Sequence, residues 1–150
     1  MNSALVPVSQ ALFKVLNVPS LVGPYQPNVC AGARAVRDSP TVSSTADFPF
    51  VWYELAAEDN RSGLGRGPWL LELDVRIHTF STDVGMAEGE RITTEIVRLV
   101  RQKETGLVVA GWSAPYQPHD RIVLLPFEQL AGIKVTELVT MGRLYVEEAA

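Results

Sequence analysis

The sequence predicts an α+β protein: a two-layer domain with a mostly antiparallel sheet and two helices packed on one face. Residues 69–80 alternate apolar and polar side chains, as a strand with one buried face requires. An amphipathic helix follows this strand directly. Most of the remaining apolar runs have strand length and are joined by short turns, which favours antiparallel pairing. Two helices on one face would bury both amphipathic stripes, which makes the domain two-layered.

Two segments have helical spacing of their apolar residues. The first is a short N-terminal helix that ends before Pro19, with its stripe at Leu5, Val8, Leu12, Val15 and Leu16. The second helix follows Thr82 and Asp83, which are predicted to cap its first turn. Its buried stripe is predicted to be Ile92, Ile96, Leu99 and Val100.

Between the helices and after them the chain is predicted to be extended or irregular. Residues 21–47 contain prolines, glycines and a Ser/Thr cluster, so they are predicted to form an irregular connection with at most a short strand near 28–33. The alternation in the last strand slips near Glu137 and Leu138, which predicts a bulge. The other predicted strands are Phe48–Ala57, Leu107–Trp112, Arg121–Phe127 and Ile133–Val146.

Length and composition limit the functions available. The 150 residues are predicted to form a single domain, 1–150, and 47% of them are hydrophobic. A net charge of −4 argues against a protein that wraps nucleic acid by neutralising phosphates. Cys30 is the single cysteine, so no intramolecular disulfide is possible and nothing points to an oxidising compartment. No signal peptide and no membrane span is predicted, so we expect the chain to be made and used in cytosol.

Few residues of the sequence indicate a chemical reaction. His78 or His119 could pair with Asp74 or Asp120 as a general acid–base set, but no nucleophile has a recognisable setting and a surface His beside an acid is favoured. One cysteine and two separated histidines make no metal-ligand cluster. The glycines of 63–67 lead into a strand instead of a helix, so they are not predicted to bind a phosphate. We therefore predict no catalytic, cofactor or metal site.

Two polar surfaces remain as candidate contact sites. The Gly-rich stretch Glu58–Gly67 is predicted to be a hairpin loop, and it carries Asp59, Arg61 and Arg66. It is either a hairpin without a role or a projection that becomes ordered on a partner. The second surface is the polar face of the central strand, which is either solvated or a self-complementary subunit contact. Its members are Glu72, Asp74, Arg76 and His78.

With these segments placed, the chain resembles the tail terminator or tail-completion proteins of long-tailed phages. The resemblance lies in the order and spacing of segments over most of the chain, outside residues 22–45. It includes the N-terminal helix, the strand FPFVWYEL (Phe48 to Leu55) and the strand that begins at Asp120-Arg121. It also includes the strand–turn–helix unit LLELDVRIHTFSTDVGMAEGERITTEIVRLV (Leu70 to Val100) and the long last strand.

The resemblance implies a subunit that assembles into a ring, commonly a hexamer, in the neck region of a virion. Such a ring caps the tail tube and ends the polymerisation of the tail tube protein. It also presents a surface to the head-completion or connector protein. DNA passes through its centre without sequence-specific binding. The family has no catalytic residues to transfer.

Three alternatives stay open from the sequence. The chain could be another ring component of the same particle, such as a head-completion or tail-tube protein. It could be a small enzyme of unrecognised type that uses Asp74, His78 or His119. It could also be a host α+β interaction domain.

Overall fold

The computed structural model of the chain describes residues 5–41, 45–60, 70–82, 86–101, 109, 112–113, 121–130 and 133–148. This part of the chain contains two α-helices, a short 3-10 helix (Thr45–Asp47) and six strands. In chain order the elements are α1 (Leu5–Leu16), β1 (Val36–Arg37), β2 (Phe50–Asn60), β3 (Leu70–Ser81), α2 (Ala87–Arg101), β4 (Trp112–Ser113), β5 (Arg121–Leu130) and β6 (Ile133–Glu148). The α+β class is confirmed.

The described strands form one mixed sheet in the order β1-β2-β3-β6, and β4 and β5 both pair with β6. β1 runs parallel to β2, and every other pair of described strands is antiparallel. β3 lies in the middle, paired along its whole length with β6 and along most of it with β2. The mostly antiparallel sheet is therefore also confirmed.

Both helices pack on the same face of the sheet, as the sequence predicted. α1 contacts α2, β1 and β2, while α2 contacts β3 and β6. The helical stripes are buried against one side of β2 and β3 because helical spacing places the core residues of each helix on one face. The largest fully buried side chains of this core include Leu12, Leu16, Leu21, Leu73, Ile77, Ile92 and Ile96.

A glycine lets α2 approach β6 closely. A Cβ atom added at Gly89 would lie 3.0 Å from Leu138 Cδ1, tighter than almost all real contacts. Four residues later, Thr93 Oγ1 donates a hydrogen bond to Thr79 Oγ1 at 3.3 Å, so a buried polar pair also joins α2 to β3. The helix and the centre of the sheet are thus fixed by both packing and a hydrogen bond.

The start of α2 differs from the sequence prediction. The helix begins at Ala87, so Thr82 is outside it and Asp83 lies outside the described residues. Ser81, the last residue of β3, donates a hydrogen bond from its Oγ to Glu88 Oε1 at 2.6 Å. The strand end therefore contacts a first-turn acid, a position that the helix dipole favours for negative charge.

Strand boundaries also differ from those predicted. No strand forms at 28–33; the described backbone there makes only isolated bridges, and the two-residue β1 follows it. Glu58 to Asn60 continue β2 past an irregularity between Leu55 and Ala57, so they are not loop residues. Of the predicted strand 107–112, only Val109 and Trp112 lie among the described residues.

The predicted bulge at Glu137 and Leu138 is wrong. β6 pairs with β3 without interruption through both residues, and the register shift lies in β5, between Leu125 and Glu128. The polar residue that broke the alternation, Glu137, is buried at 4% exposure. The slip in the pattern therefore marks a buried acid and not an extra residue.

The packing of α2 predicts a clear stability effect. Ile96 is fully buried in the core between helix and sheet. Replacing it with alanine removes buried methyl groups and leaves a cavity, so Ile96→Ala should lower the free energy of unfolding by about 2–5 kcal/mol. Urea unfolding followed by circular dichroism measures this loss.

The matched control for this prediction is Glu90→Ala on the exposed side of the same helix. It should change the free energy of unfolding by less than about 0.5 kcal/mol. Equal losses for the two variants would mean that the helix presents a different face to the sheet.

Candidate interaction surface on the far face of the sheet

The face of the sheet that points away from the helices carries most of the candidate residues. We call it the far face. In antiparallel pairs, directly opposed residues share a face, so the register assigns the rows. Along β2, β3 and β6 the far-face rows are Phe50–Phe80–Glu137, Trp52–His78–Val139 and Glu54–Arg76–Met141.

One end of the far face is a closed aromatic cluster. The rings of Phe48 and Phe50 lie 5.2 Å apart and those of Phe50 and Phe80 lie 5.3 Å apart, both tilted. Val135 completes the cluster, and each of these four residues is buried. The guanidinium of Arg37 lies 5.0 Å from the centre of the Phe50 ring, a cation–π distance. The cluster is therefore a second, smaller core on the far side of the sheet.

His78 lies next to this cluster and is buried at 8% exposure. The prediction of a surface histidine is therefore wrong, although His78 does lie beside an acid. The imidazole stacks on the indole of Trp52, with ring centres 4.2 Å apart and planes 11° apart. Its Nδ1 lies 2.5 Å from Oε1 of Glu137 on β6. When Glu137 is ionised it can only accept, so Nδ1 then carries the proton and donates it.

The second ring nitrogen of His78 has no hydrogen-bond partner among the described residues. Oε1 of Glu54 is near it, at 3.5 Å from Nε2, a distance that allows attraction between charges but is long for a hydrogen bond. The indole Nε1 of the neighbouring Trp52 is also buried without a partner in the described part of the chain. Unpaired buried polar atoms cost free energy, so these two adjacent atoms make this row the least satisfied part of the far face among the described residues.

The other end of the far face is charged and partly open. Arg76 Nη1 lies 3.5 Å from Glu54 Oε1, and their side chains are 42% and 31% exposed. Asp74, one row further along, is half-buried. Charges of both signs thus lie within reach of solvent beside the enclosed His78. Among the described residues, this end is the more exposed part of the far face.

Of the four predicted strand-face residues, the structure brings Arg76 and His78 together through Glu54. Asp74 is a row away from that cluster. Glu72 lies in β3 and is paired in register with Asp59 of β2. Asp59 therefore belongs to a strand, not to the predicted docking loop. Arg61 and Arg66, the other two residues of that loop prediction, lie outside the described residues.

The arrangement around His78 is better suited to holding the sheet together than to catalysis. Its polar contacts among the described residues are the two carboxylates of Glu137 and Glu54, so no described hydroxyl or thiol is positioned for it to activate. The described residues also contain no group of three or more His, Cys, Asp or Glu able to hold a metal ion. His119 and Asp120, the other predicted acid–base candidates, lie outside the described residues.

Sequence reasoning missed three members of this site: Trp52, Glu54 and Glu137. Trp52 and Glu54 look like ordinary strand residues because their partners are 22 or more positions away, on β3. Glu137 did leave a signal, since it interrupts the alternation of the last strand. An acid at an interior strand position predicts either a bulge or a buried pair, and only the second was realised.

Comparison with known proteins adds a fold-level likeness. No protein-family model matches the chain. No curated protein matches it either. Among solved structures, the fold is similar to that of a chain in the structure "Virion of native gene transfer agent (GTA) particle". The two chains are 16% identical with a TM-score of 0.53, and the match covers 76% of this chain and 79% of that one. No helix in the described part of the chain is long and apolar enough to cross a membrane.

The buried pair predicts strong coupling between β3 and β6. His78→Leu or Glu137→Leu alone leaves one polar partner buried and unpaired, which should cost about 3–5 kcal/mol. The double variant removes both polar partners. Its loss in the free energy of unfolding should therefore be smaller than the sum of the two single losses by about 0.5–3 kcal/mol. Urea unfolding of the wild type, the two single variants and the double variant gives this coupling energy.

The same cycle on Arg76 and Glu54 is the matched control. That pair also joins adjacent strands but is partly exposed, so its coupling should stay below about 1 kcal/mol. Additive losses at His78 and Glu137 would show that the short contact does not bind the two strands.

Proposed function

We propose that the chain is a structural protein of a phage-type virion that forms a ring, caps the tail tube and joins it to the head connector. The observation that carries the proposal is the fold shared with a chain of the gene transfer agent virion over most of both chains. The resemblance to tail terminators in the order and spacing of segments supports the finer role, in which the ring, hexameric in this proposal, ends tube polymerisation.

The charge of the chain fits this role. DNA must slide through the centre of such a ring without being held. A net charge of −4 disfavours strong phosphate binding, so passage is not opposed by attraction. The proposed partners are therefore other copies of this chain, the tail tube protein and the connector. The proposed location is the neck of the virion, after assembly in the host cytoplasm. The role needs no cofactor, membrane or catalytic group.

The charged end of the far face is the proposed subunit contact. Arg76 and Asp74 are accessible there, and Glu72 follows in the same strand. Charges of both signs on one surface can pair with the corresponding residues of a neighbour, which sets orientation more than affinity. His78 is enclosed, so its contribution is to hold the strands beneath this contact.

A second candidate is another ring or tube component of the same kind of particle. It is supported by the same structural likeness, since that solved structure is of a virion particle and the shared fold does not favour one part of it over another. A tube subunit stacks on itself without limit, whereas a terminator ring closes. The assembly behaviour of the purified protein therefore distinguishes the two candidates.

The ring predicts a defined oligomer that a charge reversal weakens. Native mass spectrometry and negative-stain microscopy should show closed rings of one copy number for the wild type. Asp74→Lys should shift the population to smaller species at equal concentration, because it turns an attractive contact into a repulsive one. Thermal melting checks that the variant subunit remains folded.

Glu90→Lys, on the exposed surface of α2, makes the same charge change away from the far face and should leave the rings intact. A wild-type protein that stays monomeric would refute the ring. Open-ended polymers would favour the tube subunit. If the Asp74→Lys variant forms the same rings as the wild type, the subunit contact does not include Asp74 and lies on another surface.

The Gly-rich segment predicts a separate effect on docking. We propose that Arg61 and Arg66 contact the tail tube or the connector, without any part for Asp59. The double change Arg61→Gln and Arg66→Gln should leave ring assembly unchanged, but reduce the yield of complete particles when the gene complements a terminator-deficient phage. Wild-type plaque numbers from this variant would show that the two arginines are dispensable.

A further inference from the structure

The segment before β1 folds into an ordered loop beside α2. Its backbone is held by Gly23 N–H to Ala33 O and Ala33 N–H to Leu21 O, both at 2.9 Å, and by Ala31 N–H to Ser20 O at 2.8 Å. Gly32 has φ +97°, and a Cβ there would lie 2.9 Å from Cβ of Tyr25. Only glycine fits this position. The loop is therefore a defined structure within the connection that the sequence predicted to be irregular.

A groove of about 400 Å³ runs between this loop and the outer side of α2. Two large apolar side chains stand exposed at the loop side, Tyr25 at 51% and Val29 at 62%. On the helix side the groove is lined by Arg91, Glu95 and Arg98. Exposed apolar groups beside charged ones are typical of a contact surface for another polypeptide.

Arg91 is held in one orientation inside the groove. Its Nε donates a hydrogen bond to Ala31 O at 2.7 Å. Its guanidinium carbon lies 3.7 Å from the centre of the Tyr25 ring, so the planar group stacks on the aromatic face. Neither contact uses the two Nη amino groups, and no described acid pairs with them. A fixed arginine with open Nη donors is pre-organised for a carboxylate.

The other two charges of the groove neutralise each other. Arg98 Nε donates to both carboxylate oxygens of Glu95, at 2.6 and 3.0 Å. This hydrogen bond with Glu95 raises the pKa of Arg98 above its usual value, so the guanidinium stays charged. Glu95 is four residues from Arg91 and would be its natural helical partner, but it is already occupied. Among its described lining residues, the groove therefore carries one uncompensated positive charge, on a chain whose net charge is −4.

We propose that this groove binds an acidic side chain of a partner polypeptide. The Nη donors of Arg91 receive the carboxylate, and Tyr25 and Val29 contact an apolar residue beside it. The positive charge of the groove favours an acidic side chain. The exposed Tyr25 and Val29 favour a polypeptide over a free anion, because they can also contact an apolar residue. This inference does not depend on the proposed ring or on the far face, which lies on the other side of the sheet.

The test is a bead library of acetylated, amidated pentapeptides with a central Glu and randomised flanking positions. The same library with a central Gln is the control. Full-length protein with an N-terminal epitope tag should enrich apolar flanks in the Glu library only. A peptide from the enriched set should bind at least about tenfold more weakly when its Glu is changed to Gln, as expected for one charge-assisted hydrogen-bonded contact.

Two variants separate a defined receptor from general charge attraction. Arg91→Gln and Arg98→Gln each remove one positive charge from the groove. Arg91→Gln should weaken binding of the peptide at least about tenfold, and Arg98→Gln should weaken it by less than about threefold. Because Arg91 also anchors the loop, its variant could unfold locally. The peptide should therefore also shift the NMR signals of Arg91 Nε–H and of the Tyr25 and Ala31 amides in the unaltered protein.

Several results would overturn the inference. These are no enrichment from the Glu library, equal enrichment from the Gln library, equal effects of the two arginine variants, or NMR shifts outside the groove. If acetate binds as tightly as the peptide, the groove is a general anion site, and the proposal that it recognises a polypeptide is refuted. Loss of self-association in Arg91→Gln alone would support the inference and identify the partner as a second copy of this chain.

Discussion

The fold depends on the burial of β3 on both of its faces. Leu73, Val75 and Ile77 face the two helices, while His78 and Phe80 alternate with them on the far face and are buried as well. A central strand of this kind needs cover on two sides, and the described part of the chain has only two helices, both on one side. Among the described residues, the far face over His78 and Phe80 is closed by side chains of the neighbouring strands and by Phe48. The aromatic cluster and the pair of His78 and Glu137 supply that cover.

The buried polar contact between His78 and Glu137 has both a cost and a benefit. Removing a carboxylate from water is unfavourable, and its contact with an imidazole offsets this only with good geometry. The benefit of the contact is that it helps to fix the register of β6 against β3. A slip of β6 by one residue against β3 would move Glu137 to the helix-packed face and separate it from His78. An apolar pair would tolerate such a slip far better, so the polar contact helps to specify a single pairing.

The architecture presents two different surfaces on opposite sides of the sheet. The far face ends in a partly open charged row with Arg76 and Glu54, and the outer side of α2 forms a groove around a pre-organised Arg91. Since the sheet and the helix layer lie between them, two partners could contact these surfaces at once without competing. A component that joins different parts of a particle needs this separation. The proposed subunit contact and the proposed acidic-peptide groove can therefore be tested independently.

The sequence by itself determined the elements that local spacing specifies. The helices at Leu5–Leu16 and around Ile92 and Ile96, the central strand and the two-layer class all follow from apolar residues at helix or strand period. Tertiary structure decided the site. Glu137 is 59 residues from His78, and Ala31 is 60 residues from Arg91. Contacts between residues so far apart depend on strand register and on loop folding, and neither is encoded in the local spacing of residues. The same limit explains the bulge placed wrongly at Glu137: an isolated polar residue in an apolar strand has no visible partner until the sheet is formed.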